Sequence, residues 1–511
     1  MKKIIFCAAW IAAVAVMSCD RAAPRVRDAS DGPSAAYARE DAGGHAAIRQ
    51  DPDNAEAYVN RGIAYYDEND YERAIANYTE AIRLNPNDAA TYNNRGAAYK
   101  NNGDYDQAIS DYTEAIRLNP NNAATYNNRG IAYDEKKDYD QAIEDFTISI
   151  GLNPNYVQTY INRGNAYYAK KDYDRAIADY RLAIRLDPKD ADTYNKRGDA
   201  YYDKKDYERA IVDYNQAITL NSEDADMYRK RGDAYYRKND YDRAIADYTE
   251  TIRLNPQLAV VYFKRGTAYH EKKDYGRAIT NYNEAIRLNP NFTEAYLNKG
   301  AAYYDKKDYD RAIAEFNRAI TLNPGNADMY KKRGDTHHFK KSYDLAIADY
   351  TEAIRLNPRL AAAYLNRGTA YHSKENGCQA IADYTKSIEL DPKDVQAYLS
   401  KGTAYHSKEN CAQAIADYTK SIELNPKSWQ AYLNRGLAYY EKRDNDRAIA
   451  DFSQVITLNP DAMTYYDRGN AYYLKKDYDR AKADWESALR MDPNHREAKN
   501  NLEVLKEKFG I

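Results

Sequence analysis

Apolar and polar positions in this chain follow a helical rhythm that restarts every 34 residues. Tyr58, Gly62 and Tyr65 fall at spacings of four and three, as one face of a helix requires. Asp70 then stands where an N-cap belongs, with Glu72 in the following turn. Tyr71, Ala74, Tyr78 and Ala81 make the apolar face of a second helix, and Pro86 stops it because proline cannot continue the hydrogen-bond ladder. Asp88, Asn122 and Asp190 occupy the cap position before the next first helix. The unit is helix, turn, helix, stop, and Ala89–Asn122 is a representative copy.

The glycine of the first helix, preceded by Arg or Lys, recurs at Gly62, Gly96, Gly130, Gly164, Gly198, Gly232, Gly266, Gly300, Gly334, Gly368, Gly402, Gly436 and Gly469. Each step is 34 residues except the last, which is 33. A period this strict over residues 55–494 predicts an all-α solenoid of thirteen helix pairs, with Gly62 and its counterparts letting a neighbouring helix come close. After Pro493, Ala498, Leu502, Leu505 and Phe509 recur at four, three and four, while Lys499, Glu503, Lys506, Glu507 and Lys508 fill the other face. Residues 495–511 are therefore expected to form a helix that seals the last copy; a partner-binding helix is the alternative.

Composition changes two parts of this picture. The chain of 511 residues carries 54 Tyr, which predicts a core of Tyr and Ala rather than Leu, each ring buried and its hydroxyl wet or bonded. Lys plus Arg is 75 and Asp plus Glu is 78, a balance that excludes the strongly basic surface a nucleic-acid binder needs.

The N-terminus stands outside the repeat. Lys2 and Lys3 precede an apolar run, Ile4–Val16, which is short for a membrane span and reads as a secretion signal over residues 1–18. Val16-Met17-Ser18-Cys19 resembles the lipobox of bacterial lipoproteins, and that resemblance implies lipidation of Cys19 and a membrane anchor at the cell envelope. Asp20 fits the inner-membrane retention pattern of enterobacterial lipoproteins. An ordinary signal cut after Ala15 or Ser18, leaving a secreted protein, is the alternative. Residues 19–46, with Pro24, Gly32-Pro33 and Gly43-Gly44, have the composition of a flexible tether. Residues 47–54 hold AIRQDP, a copy of the AIRLNP that ends later repeats, and are expected to give a partial N-terminal cap.

Within each copy the pattern closely resembles the tetratricopeptide repeat (TPR): aromatic at the fourth place, Gly at the eighth, Tyr at the eleventh, Ala at the twentieth, aromatic at the twenty-fourth and Pro at the thirty-second. Copy six matches with Tyr228, Gly232, Tyr235, Ala244, Tyr248 and Pro256, and has Thr251 where Ala is usual. The resemblance implies an all-α TPR superhelix whose first helices line a concave groove that takes protein or peptide partners. The departures are Arg or Lys at the seventh place, where the family usually has Leu, Ser222 for one Pro, and His337 for one Tyr. Locally loosened packing is expected at all three.

By the same resemblance, the sixth place points into the groove, where Asn60, Asn94, Asn128, Asn162, Asn298, Asn366 and Asn434 form a row interrupted by Lys196, Lys230, Lys264 and Lys332. A carboxamide offers an acceptor and two donors, so the row is suited to the backbone of an extended peptide. It resembles the asparagine ladder in the TPR superhelix of O-GlcNAc transferase. Hydrogen bonding to the adjacent repeat or to water is the competing explanation, and pairing with nearby Asp192, Asp199, Asp226 and Asp233 explains the lysines as well as a ligand does. The clamp of chaperone-binding TPRs is absent: of the places it requires, Asn366 matches, while Asp335, Gln396 and Ser400 do not.

His338, His372 and His406 share the twelfth place in three consecutive copies, which makes a shared metal conceivable but strained across helices roughly 8–10 Å apart. Cys378 and Cys411 lie in adjacent copies near the start of the second helix, and secretion would permit a disulfide between them. No Gly-rich phosphate loop, His-Glu-x-x-His or Gly-x-Ser-x-Gly motif occurs, and no cofactor motif is present. The expected function is a non-enzymatic, envelope-tethered TPR scaffold that binds extended protein segments. A surface-exposed or secreted binder of host or neighbouring-cell proteins, and a metal- or small-ligand-binding solenoid using the histidine row, are the alternatives.

Overall fold

A computed structural model describes residues 53–510. The signal segment, Cys19, the tether and all but the last two residues of the 47–54 cap lie outside the described residues. Among those described there are 27 helices and no strands. Each copy folds as the pattern requires: a first helix such as Ala55–Asp67, then a second such as Tyr71–Leu84. Asp70 caps the second helix by accepting from the Arg73 amide at 3.1 Å. Asp88, Asn122 and Asp190 cap first helices in the same way.

The turn joining the two helices needs one residue in the left-handed region. Gly103 supplies it in copy two, but eight other copies place a lysine or arginine there, among them Lys137 at φ 62° and Lys273 at φ 62°.

Two compact units divide between Lys204 and Lys205. The first holds copies one to four and the first helix of copy five. The second holds the second helix of copy five, copies six to thirteen and the terminal helix. Within each unit a first helix packs on its own second helix and, less extensively, that second helix packs on the next first helix.

The core is built from alanine and tyrosine. The alanines at the twentieth place, such as Ala108, and those at the tenth place after copy one, such as Ala98, are fully buried, and the twenty-fourth-place rings of Tyr78, Tyr112, Phe146 and Tyr180 lie between the helices. Leu297 and Leu505 are the buried leucines among the described residues. The first-helix glycine is fixed by the ring of its own copy. A Cβ on Gly130 would stand 2.6 Å from Phe146 Cε1, closer than real carbons approach.

Packing at the seventh place is the reverse of loosened. The arginine reaches across to an aspartate sixteen residues later on the second helix. Arg95 pairs with Asp111 through Nε and Nη2, both at 2.8 Å, and the same fork recurs at Arg129–Asp145, Arg163–Asp179, Arg231–Asp247, Arg333–Asp349, Arg367–Asp383, Arg435–Asp451 and Arg468–Asp484. The remaining Nη1 donates to the preceding copy, as from Arg95 to Thr79 Oγ1 at 3.0 Å and from Arg231 to Asn215 at 2.7 Å. The guanidinium also lies over the fourth-place ring of its own helix, 5.7 Å from the Tyr92 centroid for Arg95. A planar fork matches a carboxylate in a way that an ammonium cannot. Accordingly Lys401 meets Asp417 through a single contact of 3.3 Å and leaves Asp417 Oδ2 buried without a partner. His337, the replacement for Tyr, is largely buried 3.9 Å from Asp349, and burial lowers its pKa.

The final helix, Arg496–Phe509, lays Ala498 and Leu505 against Trp485 of copy thirteen, with Leu502 partly buried beside them. Its charged residues stay exposed.

Candidate functional site: the first-helix face

Most consecutive first helices within each unit touch one another, so the first helices line one face there. The sixth-place side chains stand on this face and most of them are engaged. The core tyrosine of a copy donates its hydroxyl to the ninth-place side chain of its own first helix, and the sixth-place side chain of the next copy donates to the same group. Tyr350 donates to Asp335 at 2.9 Å, and Asn366 Nδ2 donates to Asp335 at 2.7 Å. Tyr248 and Lys264 converge on Asp233 at 2.8 and 2.6 Å. Trp485 and Asn501 converge on Asn470, both at 3.1 Å, so the terminal helix continues the same device. Each relay ties a buried ring of one copy to the first helix of the next.

This relay sorts the asparagine row. Asn434 reaches Thr403 at 3.5 Å, the weakest contact of the set. Where the ninth place is apolar, the amide turns to the fifth place instead. Asn162 donates to Asn127 at 3.0 Å and accepts from Gln158 at 2.9 Å, and Asn128 donates to Asn93 at 3.3 Å. Asn298 lies beside the buried Tyr282 hydroxyl. Asn94 has Val59 and Ile63 at the two places where a partner would stand, and Asn60 belongs to the first copy. Neither of these two amides makes a side-chain hydrogen bond to any described residue. The row is therefore two open carboxamides at one end, followed by carboxamides drawn into the joints between repeats. The competing explanation in the sequence was this one, and the neighbours at places five and nine decide it copy by copy.

The interrupting lysines pair on the same face: Lys196 with Asp192 and Lys230 with Asp226 one turn away, and Lys264 with Asp233 of the preceding copy. Lys332 stands 3.9 Å from Asp328.

With the geometry in place, comparison with known proteins is decisive for the family. Profiles described as TPR repeat match residues 62–103, 164–204, 198–239, 232–273, 266–307 and 338–375, and profiles described as tetratricopeptide repeat match 46–76, 89–122, 123–156, 293–326, 361–394, 399–462 and 462–495. The chain belongs to the tetratricopeptide repeat family. No curated protein matches it in sequence. Among solved structures, yeast Tom70 is 19% identical with a TM-score of 0.37, over 86% of this chain and 97% of that one. The C-terminal part of a TPR repeat-containing protein from Cytophaga hutchinsonii is 21% identical with a TM-score of 0.42, over 47% of this chain and 99% of that one. YrrB, titled a TPR protein with an unusual peptide-binding site, is 24% identical with a TM-score of 0.32, over 36% of this chain and 95% of that one.

Two carboxyls on the TPR face titrate unusually high. Asp134, at the twelfth place of copy three, is pushed up to about 6 by burial and by neighbouring Glu135. Asp467 takes the sixth place of copy thirteen, where other copies carry Asn, and burial with Asp461 nearby raises it to about 6.

The histidine row does not gather. His338 packs at a tilt against Tyr343, 5.4 Å between ring centroids, with its Nε2 buried and unpartnered and its pKa lowered by burial. His406 is drawn off to Glu441 of the next copy at 2.9 Å. His338, His372 and His406 do not form a common ligand set, because each sits one repeat further along the array; the cluster that does form joins His406 to Cys411 and Glu441. Cys378 and Cys411 are both free: Lys408 Nζ lies 2.8 Å from Cys378 Sγ, and Cys411 Sγ donates to Glu441 at 3.4 Å. The two thiols occupy the eighteenth and seventeenth places of their copies and so face different neighbours. Sequence reasoning missed the relay and the seventh-place fork, whose partners stand at fixed offsets of 31 and 16 residues.

Proposed function

We propose that this TPR chain is a non-enzymatic scaffold, held at a bacterial cell envelope through a lipid on Cys19, that binds extended protein segments along the first-helix face. The observation carrying the binding reading is the pair of carboxamides at Asn60 and Asn94, which make no side-chain hydrogen bond among the described residues, at the end of the array nearest the tether. Each offers an acceptor and two donors, as the backbone of an extended segment demands, and Asn94 stands over the apolar Val59 and Ile63 of the preceding copy. Asn128 extends that surface within the first unit, and Asn298, Asn366 and Asn434 stand on the first-helix face of the second unit, each with the capacity its inter-repeat bonds leave over. Asn162 contributes least, since its oxygen and one N–H are both used.

The test is capture of partners from envelope extract of the source bacterium by the full chain and by an Asn60→Ala/Asn94→Ala variant of equal helical circular dichroism. A partner retained by the first and lost by the second supports the reading. Equal retention by both would move recognition to another surface. Palmitate labelling that persists in Cys19→Ser would refute the anchor.

A further inference from the structure

One recurring contact joins neighbouring copies at the edge of the first-helix face. The twelfth-place side chain bonds the thirteenth-place side chain of the next copy: Tyr66 accepts from Asn101 at 2.7 Å, Tyr168 donates to Asp203, His270 pairs with Asp305 at 2.8 Å and His406 pairs with Glu441 at 2.9 Å. At His270 the next element along is Tyr275, whose ring sits edge-on to the imidazole at 5.4 Å. Copy eleven replaces that tyrosine with Cys411. A thiol thus stands beside a histidine–carboxylate pair, and the donor atoms of all three groups lie within 4.8 Å of one another.

We propose that His406 Nε2, Cys411 Sγ and Glu441 Oε2 form a binding site for a divalent transition-metal ion, zinc foremost, at the junction of copies eleven and twelve. The donor set is imidazole, thiolate and carboxylate, which suits a borderline-soft cation and not calcium or magnesium. Ionised Cys411 and Glu441 supply two negative charges to meet the two positive ones. Zinc bonds of about 2.0–2.3 Å place tetrahedral donors about 3.3–3.7 Å apart. His406 and Cys411 already lie 2.9 and 3.4 Å from the same Glu441 oxygen, so small side-chain shifts would complete the geometry. The three residues end Val395–His406, begin Cys411–Leu424 and end Trp429–Glu441, so one ion would fasten three helices at their termini.

Two neighbours shape the site. The Tyr418 ring meets the His406 ring edge-on at 6.4 Å and limits its rotation. Lys442 is the nearby cation, and its usual partner, the eighteenth-place aspartate of the preceding copy, is Ala412 here. Without a metal, burial and Glu441 raise the Cys411 thiol while Lys442 opposes them, so the thiol keeps its proton. A bound cation would displace that proton, as metal–thiolate bonding requires. The fourth coordination position faces outward, for water or a donor from a partner, because Glu441 is more than half exposed.

The test is titration of the purified, reduced full chain with Co²⁺, read by the thiolate-to-cobalt charge-transfer band, followed by displacement with Zn²⁺. The expected result is one equivalent bound with a thiolate band. Cys411→Ser should abolish the band, and His406→Gln and Glu441→Gln should each weaken zinc binding by more than about 10-fold. Glu441→Gln lies on an exposed side chain, and helical circular dichroism of all three variants guards against misfolding. His270→Gln, which breaks the analogous pair lacking a thiol, and Cys378→Ser should leave binding unchanged. Absence of a thiolate band in the parent chain, or zinc binding by Cys411→Ser equal to the parent's, would reduce His406–Glu441 to an inter-repeat hydrogen bond. Loss of the band in Cys378→Ser in place of Cys411→Ser would equally overturn the site.

Discussion

Cutting the Arg129–Asp145 fork tests whether the seventh-place arginine holds the array together. Asp145 is 4% exposed and Arg129 17%, and two parallel N–H···O bonds of 2.8 and 2.7 Å join them. Arg129 donates a third to Thr113 of copy two at 3.0 Å, and Asp145 holds the guanidinium pKa above its ordinary value. Removing one partner of a buried pair costs about 3–5 kcal/mol because a charge is left uncompensated, whereas replacing both with apolar groups is close to neutral. Arg129 keeps Thr113 and a solvent edge, so Asp145→Ala should cost about 3 kcal/mol, and Arg129→Leu, which strands the deeper carboxylate, about 3–5 kcal/mol. The double variant Arg129→Leu/Asp145→Ala should cost less than either single change, a coupling of at least about 2 kcal/mol. Asp145→Asn should cost only about 1–2 kcal/mol, since a neutral acceptor already serves at Arg61–Asn77 and Arg265–Asn281, although burial then lowers Arg265 where no carboxylate stands opposite. Stability in a solenoid is local, so the assay is native-state hydrogen exchange resolved by peptide. Asp145→Ala should speed opening of residues 123–152 by about 100-fold and leave copies eight to twelve unchanged. Single variants costing under about 1 kcal/mol, or strictly additive costs, would show that the fork is a solvated pair of no structural weight.

Three further outcomes follow from neighbouring features. Gly130→Ala would drive its Cβ into Phe146 and should destabilise copy three by about 1–3 kcal/mol in the same exchange assay, with Gly151→Ala, where no atom stands within 4 Å, as the control. Lys401→Arg should gain about 1 kcal/mol in urea unfolding, because a fork satisfies the Asp417 oxygen that Lys401 leaves bare; burial now raises that carboxyl. Asp467 binds its proton more tightly folded than unfolded, so its contribution to stability falls as pH rises from about 4 through about 6. Asp467→Asn should accordingly match the parent near pH 4 and exceed it near pH 7, by at most about 3 kcal/mol, in thermal unfolding across that range.

The repeat and its helix boundaries were legible because they rest on local signals. Asp70, Pro86 and the spacing of Tyr71, Ala74, Tyr78 and Ala81 act within one or two turns, and the helix Tyr71–Leu84 begins and ends where they place it. The tyrosine–alanine core followed from composition. What sequence reading misjudged depends on contacts between elements. Arg at the seventh place looks like a flaw when measured against Leu, and becomes a fork only when Asp sixteen residues later is brought opposite. The asparagines look alike in a column, yet Asn94 over Val59 and Ile63 stays open while Asn366 over Asp335 is consumed. His406 shared a place with His338 and His372, but its hydrogen-bond partner is Glu441 in the following copy, with Cys411 beside the pair. In a repeat protein each site is assembled from two adjacent copies, so a place read down one column omits half of its environment.

Site-specific photocrosslinking tests the central claim most directly. A photoreactive residue is placed at Asn60 or Asn94 on the first-helix face and, separately, at the half-exposed Glu114 or Glu250 on second helices, in the full chain inside its native cell. The account predicts discrete adducts from positions 60 and 94 that are absent from 114 and 250, with the adducts lost when Cys19→Ser removes the proposed anchor. Adducts of the same partner from the second-helix positions alone would contradict it.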